Sequence, residues 1–173
     1  LLKVTNTPST YTVTNTLTNI TSNGAADATE GTDYTATLTA EQGYLLPQTI
    51  EVKVGNQTLA STDYTYNPDT GALTIPGAKL TGDVEIIAAG VRETYGLSVD
   101  PSSLAFASAE EGYTAAPAAQ TVTITNTGNQ TVTLNQPTST NYTVGTLSQL
   151  TLAPDAEATF TVQPKTGLAE GSY

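Results

Sequence analysis

Four residue types that often carry reactions or ligands, His, Cys, Met and Trp, are missing from this chain of 173 residues. Without them there can be no Ser-His-Asp triad, Cys nucleophile, haem ligand, disulfide framework or Cys/His zinc site. A Ser–Lys dyad would have to draw on Lys3, Lys53, Lys79 or Lys165. Lys53 alternates with Val52 and Val54 and is expected to face solvent, Lys79 and Lys165 adjoin predicted turns, and Lys3 is terminal. None falls on the apolar phase of a strand. The buried lysine of lowered pKa that an isopeptide crosslink requires is therefore not expected.

Paired carboxylates are the next candidates. Asp27, Glu30 and Asp33 share one predicted loop, and Glu110 and Glu111 are adjacent in another. A glycosidase uses two such groups, but its cleft also offers aromatic platforms, and aromatic residues are only 6% here. The segment from Asn23 to Asp33 offers oxygen ligands for calcium without the Asp-x-Asp/Asn-x-Asp/Asn-Gly spacing of an EF-hand, so a solvated loop is the plainer expectation. Among nine tyrosines, Tyr64 and Tyr66 flank Thr65 and share one strand face. Exposed, they would form a platform for a sugar or protein contact; buried, they would pack as core. No cofactor or metal ligand set emerges from these residues. Asn-x-Ser/Thr sequons at Asn19, Asn56, Asn129 and Asn141 fit an Asn/Thr-rich composition as by-products.

The positioning elements can be read from composition and period. Charged residues are 12%, about half the usual share of soluble domains, and threonine occupies about a fifth of the chain. The net charge of −11 makes nucleic acid and anionic membranes poor partners. The longest apolar run, Ile86 to Val91, is far too short to span a bilayer. Alternation with period two dominates: Tyr11, Val13, Leu17; Tyr34, Ala36, Leu38, Ala40; Ile50, Val52, Val54; then Val122, Ile124; Val132, Leu134; Leu150, Leu152; and Ala158, Phe160, Val162. Half-buried antiparallel strands read this way, and β-branched threonine suits their solvent face. Gly55-Asn56 and Gly128-Asn129 predict tight hairpins, and Asn67-Pro68-Asp69-Thr70-Gly71 predicts a further turn. Threonine-lined ice-binding solenoids and transmembrane barrels do not fit, since no fixed repeat and no aromatic girdle is present.

The chain is expected to be all-β, with a boundary near Arg92 between domains 1–92 and 93–173. In the first, Tyr11-Thr12-Val13, Gly31 to Leu38, Gly43-Tyr44 and Thr81-Gly82-Asp83-Val84 resemble immunoglobulin-like repeat modules of Gram-positive surface proteins. In the second, Leu97 to Phe106, Thr121 to Leu134 and Gly167 to Tyr173 resemble hydin-type immunoglobulin-like domains, with Gly171-x-Tyr173 as a tyrosine-corner pattern. The resemblance implies two tandem β-sandwiches, the second lacking its last strands, with residues 1–9 as the tail of a preceding module. It also implies an extracellular or bacterial cell-surface setting. The leading functional expectation is a non-catalytic spacer whose partners are neighbouring modules of the same polypeptide, its five-residue junction near Arg92 limiting bending. The alternatives are an adhesin-type module for host glycan or protein, with Tyr64 and Tyr66 as contacts, or an accessory module of a secreted carbohydrate-active enzyme.

Overall fold

The computed structural model describes residues 7–169 and 171. Lys3, the segment 1–4 read as a preceding strand, and Tyr173 of the tyrosine-corner pattern lie outside them. The described residues contain no α-helix, only strands, turns and one short 3-10 turn at Gly77–Lys79. No helix among them is long and apolar enough to cross a membrane. The chain divides into two compact units, Leu1–Arg92 and Glu93–Tyr173.

Unit 1 contains β1 (Thr10–Thr18), β2 (Ile20–Ser22), β3 (Asp27–Thr29), β4 (Tyr34–Ala40), β5 (Tyr44–Leu45), β6 (Glu51–Val54), β7 (Gln57–Thr58), β8 (Thr65–Tyr66), β9 (Ala72–Ile75), β10 (Val84–Ala89) and β11 (Val91–Arg92). Two sheets hold most of these, in the orders β3-β1-β10-β6-β7 and β2-β4-β9-β8, and β5 pairs with β11. Alternation in β4 buries Tyr34, Ala36 and Leu38 and leaves Thr35, Thr37 and Thr39 in solvent. Both sheets feed one core, in which Leu38, Leu73 and Ile75 of the second meet Val52, Val84 and Ile86 of the first. Asn19 has φ 55°, a left-handed value that Asn tolerates, and this bend carries the chain from β1 in one sheet to β2 in the other. Gly55 and Asn56 have φ 55° and 67°, and Val54 pairs with Gln57. That is the two-residue hairpin expected of this dipeptide. Closure comes from the first and last long strands, since β1 runs parallel to β10 from Val13–Val84 to Thr18–Ala89.

Unit 2 contains β12 (Leu97–Asp100), β13 (Gln120–Asn126), β14 (Val132–Thr133), β15 (Tyr142–Val144), β16 (Thr151–Leu152) and β17 (Glu157–Pro164). One sheet has the order β12-β13-β17-β15, and β14 pairs with β16 in a separate ribbon. Leu134, Leu147, Leu152 and Ala158 form its small core. The inner face is only half covered: Leu97 is 50% and Val99 48% exposed.

The hairpin expected at Gly128-Asn129 does not form. β13 pairs with β12 and β17, whereas β14 pairs with β16. The physical reason is Asn126, which is fully buried. Its Nδ2 donates to the carbonyls of Gln130 (2.8 Å) and Leu152 (3.0 Å), and its Oδ1 accepts from the Gly128 amide (3.0 Å). The Thr127 and Asn129 amides donate to the Gly96 and Thr94 carbonyls, which draws the turn onto the start of the unit. Gly128 is required there, because a Cβ would collide with the backbone of residues 94–96.

Replacing Asn126 with Ala removes the donor from the buried Leu152 carbonyl and from the part-buried Gln130 carbonyl, so unit 2 should lose roughly 2 kcal/mol or more. Asn126→Asp should cost at least as much at neutral pH, because it sets an acceptor against acceptors. Native-state hydrogen exchange of the β13 and β17 amides measures both losses.

Candidate functional site

The tyrosine pair singled out by the sequence is part of the framework. Tyr64 lies in the core at 9% exposure, and its hydroxyl donates to the Ile50 carbonyl at 2.6 Å. Tyr66 is half-buried against the same core and donates to the Pro47 carbonyl at 3.1 Å. Tyr34 does the same with the Ala25 carbonyl at 3.0 Å. Burial raises all three phenols above their ordinary value of 10.0, with the Glu51 charge adding to Tyr64. These tyrosines tether loops through single hydroxyls, and Tyr64 does not present a ring face to solvent.

The acidic loop is also taken up by the backbone. Glu30 Oε2 accepts from the Ser9 amide at 3.1 Å, and Asp33 Oδ1 accepts from the Gly77 amide at 2.8 Å. Asp27 lies in β3 opposite Thr12. Ser9, through its side chain and its amide, holds the Glu30 carboxyl below its ordinary value. Glu30 and Asp33 thus bond separate amides, and among the described residues no group of three or more His, Cys, Asp or Glu could hold a metal ion. The lysines follow the same pattern. Lys79 meets Asp63 at 2.6 Å, Lys53 meets Glu85 at 3.4 Å, and Lys165 Nζ donates to the Thr140 carbonyl at 2.7 Å. Lys79 lowers the Asp63 carboxyl by its hydrogen bond, whereas Glu85 is lowered chiefly by the Thr16 hydroxyl and secondarily by Lys53.

A cavity of about 520 Å³ lies elsewhere, in unit 2. A second depression in unit 1, near Lys53 and Glu85, holds only about 180 Å³. The unit 2 cleft is built from the connection between β12 and β13, from β15, and from the end of β17. Phe106 and Tyr142 face each other at 5.9 Å between ring centroids, tilted by 36°. Leu104, Tyr113, Pro117, Pro164 and Leu168 complete the apolar wall, and Glu110 and Glu111 line it as well. The connection is anchored by side chains from the sheet: Gln120 Nε2 donates to the Ala105 carbonyl (2.6 Å) and Gln163 Nε2 to the Pro117 carbonyl (2.9 Å). The Tyr113 hydroxyl donates to the Lys165 carbonyl, and the Gly167 amide donates back to the Tyr113 carbonyl at 3.2 Å.

Sequence reasoning singled out Glu110 and Glu111 but missed the rings around them. Phe106, Tyr113 and Tyr142 are spread over 37 positions with no shared period, and only the register of Tyr142 against Pro164 brings the last two regions together. Comparison of the chain with protein-family models, curated proteins and solved structures returned no match.

The lowered carboxyls fix a pH dependence for unit 1. Glu30 and Glu85 fall below 4.5 and Asp63 below 3.8, so each adds stability above its unfolded value that is lost as pH falls through its folded value. Thermal unfolding of unit 1 should therefore move to lower temperature below about pH 4.5, and the combined E30Q, D63N and E85Q variant should flatten that slope. The raised phenols act at the other end. Their contribution is complete below 10.0 and declines as pH rises through their folded values, so Tyr34, Tyr64 and Tyr66 should ionise late in an absorbance titration. Tyr64→Phe should destabilise unit 1 by about 1–3 kcal/mol, because the Ile50 carbonyl loses its donor.

Proposed function

We propose that the chain is a pair of tandem immunoglobulin-like modules from a secreted or cell-wall-anchored bacterial surface protein, acting as a non-catalytic spacer. The observation that carries this reading is the employment of reactive side chains as struts. In unit 1 the hydroxyls of Tyr34, Tyr64 and Tyr66, the carboxylates of Glu30 and Asp33, and the ammonium groups of Lys53 and Lys79 all bind the chain to itself. Two layers over one core in unit 1, and a four-stranded sheet over a smaller ribbon in unit 2, support the sandwich reading. Half-exposed Leu97 and Val99 support an incomplete second layer in the second module.

The chain path suits a spacer. Arg92 still pairs with Tyr44 in unit 1, and the Thr94 amide already donates to Asn129 Oδ1 in unit 2 at 2.7 Å. Only Glu93 lies between these residues in sequence. The net negative charge of −11 favours solubility.

A second reading, an adhesin-type binding module, is favoured by one observation: the aromatic cleft of unit 2. A binding screen of the chain against mucin glycans, extracellular-matrix proteins and short peptides separates the two. The spacer reading predicts no saturable binding at high micromolar concentration. Saturable binding lost on Tyr142→Ala would replace it with the binding reading.

A further inference from the structure

We propose that the cleft of unit 2 binds an extended, basic peptide segment, with apolar side chains on Phe106, Tyr113 and Tyr142 and cationic groups on Glu110 and Glu111. This inference rests on the binding reading and names its ligand class.

The cavity is large enough for several residues and too large to be a packing defect: about 520 Å³ falls within the range of ligand sites. Its wall combines apolar and aromatic side chains with polar groups of Ser108, Glu110 and Glu111, and the Phe106–Tyr142 pair forms a tilted platform with both rings only half-buried. Proline and aliphatic side chains pack on such rings. Ammonium and guanidinium groups are drawn to their faces.

Charge selects among possible occupants. Glu110 and Glu111 line the cleft, both exposed, and no Lys, Arg, Asn or Gln is among the described residues lining it. Its ionised groups are therefore of one sign, and the nearby Lys165 ammonium is held by the Thr140 carbonyl. A neutral sugar could donate to Glu110 and Glu111 but would leave their charge unmatched, and the Tyr113 hydroxyl is already committed to the Lys165 carbonyl. An acidic ligand would be repelled locally and by the net charge of −11. The same charge opposes a second copy of the chain. A cationic ligand satisfies both the carboxylates and the rings.

Strand geometry favours a peptide over a small cation. Tyr142 belongs to β15, the outermost strand of its sheet, which has a strand partner on one side only among the described residues. Extended backbone can lie along such an edge while its side chains reach the cleft.

Fluorescence anisotropy with the whole chain tests this, using a labelled hexapeptide of alternating lysine and valine, its glutamate-for-lysine counterpart, and a neutral chito-oligosaccharide. The lysine peptide should bind saturably, more weakly at high salt, and the glutamate peptide should not bind. The conservative double variant E110Q/E111Q should weaken binding about tenfold with an unchanged melting temperature, and Tyr142→Ala should weaken it further. Lysine-peptide binding that is unchanged in E110Q/E111Q would overturn the assignment to this cleft. Saccharide binding that is sensitive to Tyr142→Ala but not to E110Q/E111Q would overturn the peptide inference and keep the binding reading. Absence of binding by all three probes would overturn both and leave the spacer.

Discussion

Unit 2 depends on one enclosed carboxamide. Asn126 ends β13, and its side chain makes three hydrogen bonds, to the turn that follows and to β16 across the core. Its own amide donates to the Ala156 carbonyl, and its carbonyl accepts from the Asp155 amide. One residue therefore joins the end of the sheet, the start of the ribbon and the approach to β17. The apolar core of this unit is small, with Leu134, Leu147, Leu152 and Ala158 as its buried members. Burial at that scale is nonspecific about where strands end, and the directional bonds of Asn126 supply that information.

Unit 1 solves the same problem with a larger core and distributed tethers. Sixteen buried apolar residues span both sheets, so the register is set by which face is hidden. Polar groups then fix the loops: Tyr34 holds the Ala25 region, Tyr64 the approach to β6, and Asp33 the 3-10 turn at Gly77–Lys79. Among the described residues no buried side-chain nitrogen or oxygen lacks a partner. Glu30, Asp33 and Asp83 accept from backbone amides, and the Tyr34, Tyr64 and Tyr66 hydroxyls donate to backbone carbonyls, so these polar side chains serve the framework.

Local features of the sequence were legible where local physics decides them. Strict alternation in β4 and the left-handed pair Gly55-Asn56 follow from side-chain period and from glycine and asparagine conformational freedom. The turn at Asn67–Gly71 is legible for the same reason, with Asn67 Oδ1 accepting from the amides of Asp69 and Thr70. Gly128-Asn129 carried a similar local signal, but the tertiary bonds of Asn126 overrode it. The cleft was legible only in its carboxylates. The connection from Pro101 to Ala119 contains no strand, so no period marks which of its side chains point inward. Its placement comes from Gln120, Gln163 and Tyr113, whose partners are 15, 46 and 52 residues away.

The parallel pairing of β1 with β10 determines how unit 1 meets mechanical load. The chain enters β1 at Thr10 and leaves β10 at Ala89, and Ala89 lies opposite Thr18, the far end of the first strand. Tension applied through entry and exit draws the two strands past each other along their length. Six residue pairs then share the strain together instead of opening one after another. The same arrangement built with an antiparallel pair pulled from one end would peel like a zipper. Unit 1 is thus braced against traction along the polypeptide by the bonds that close its first sheet.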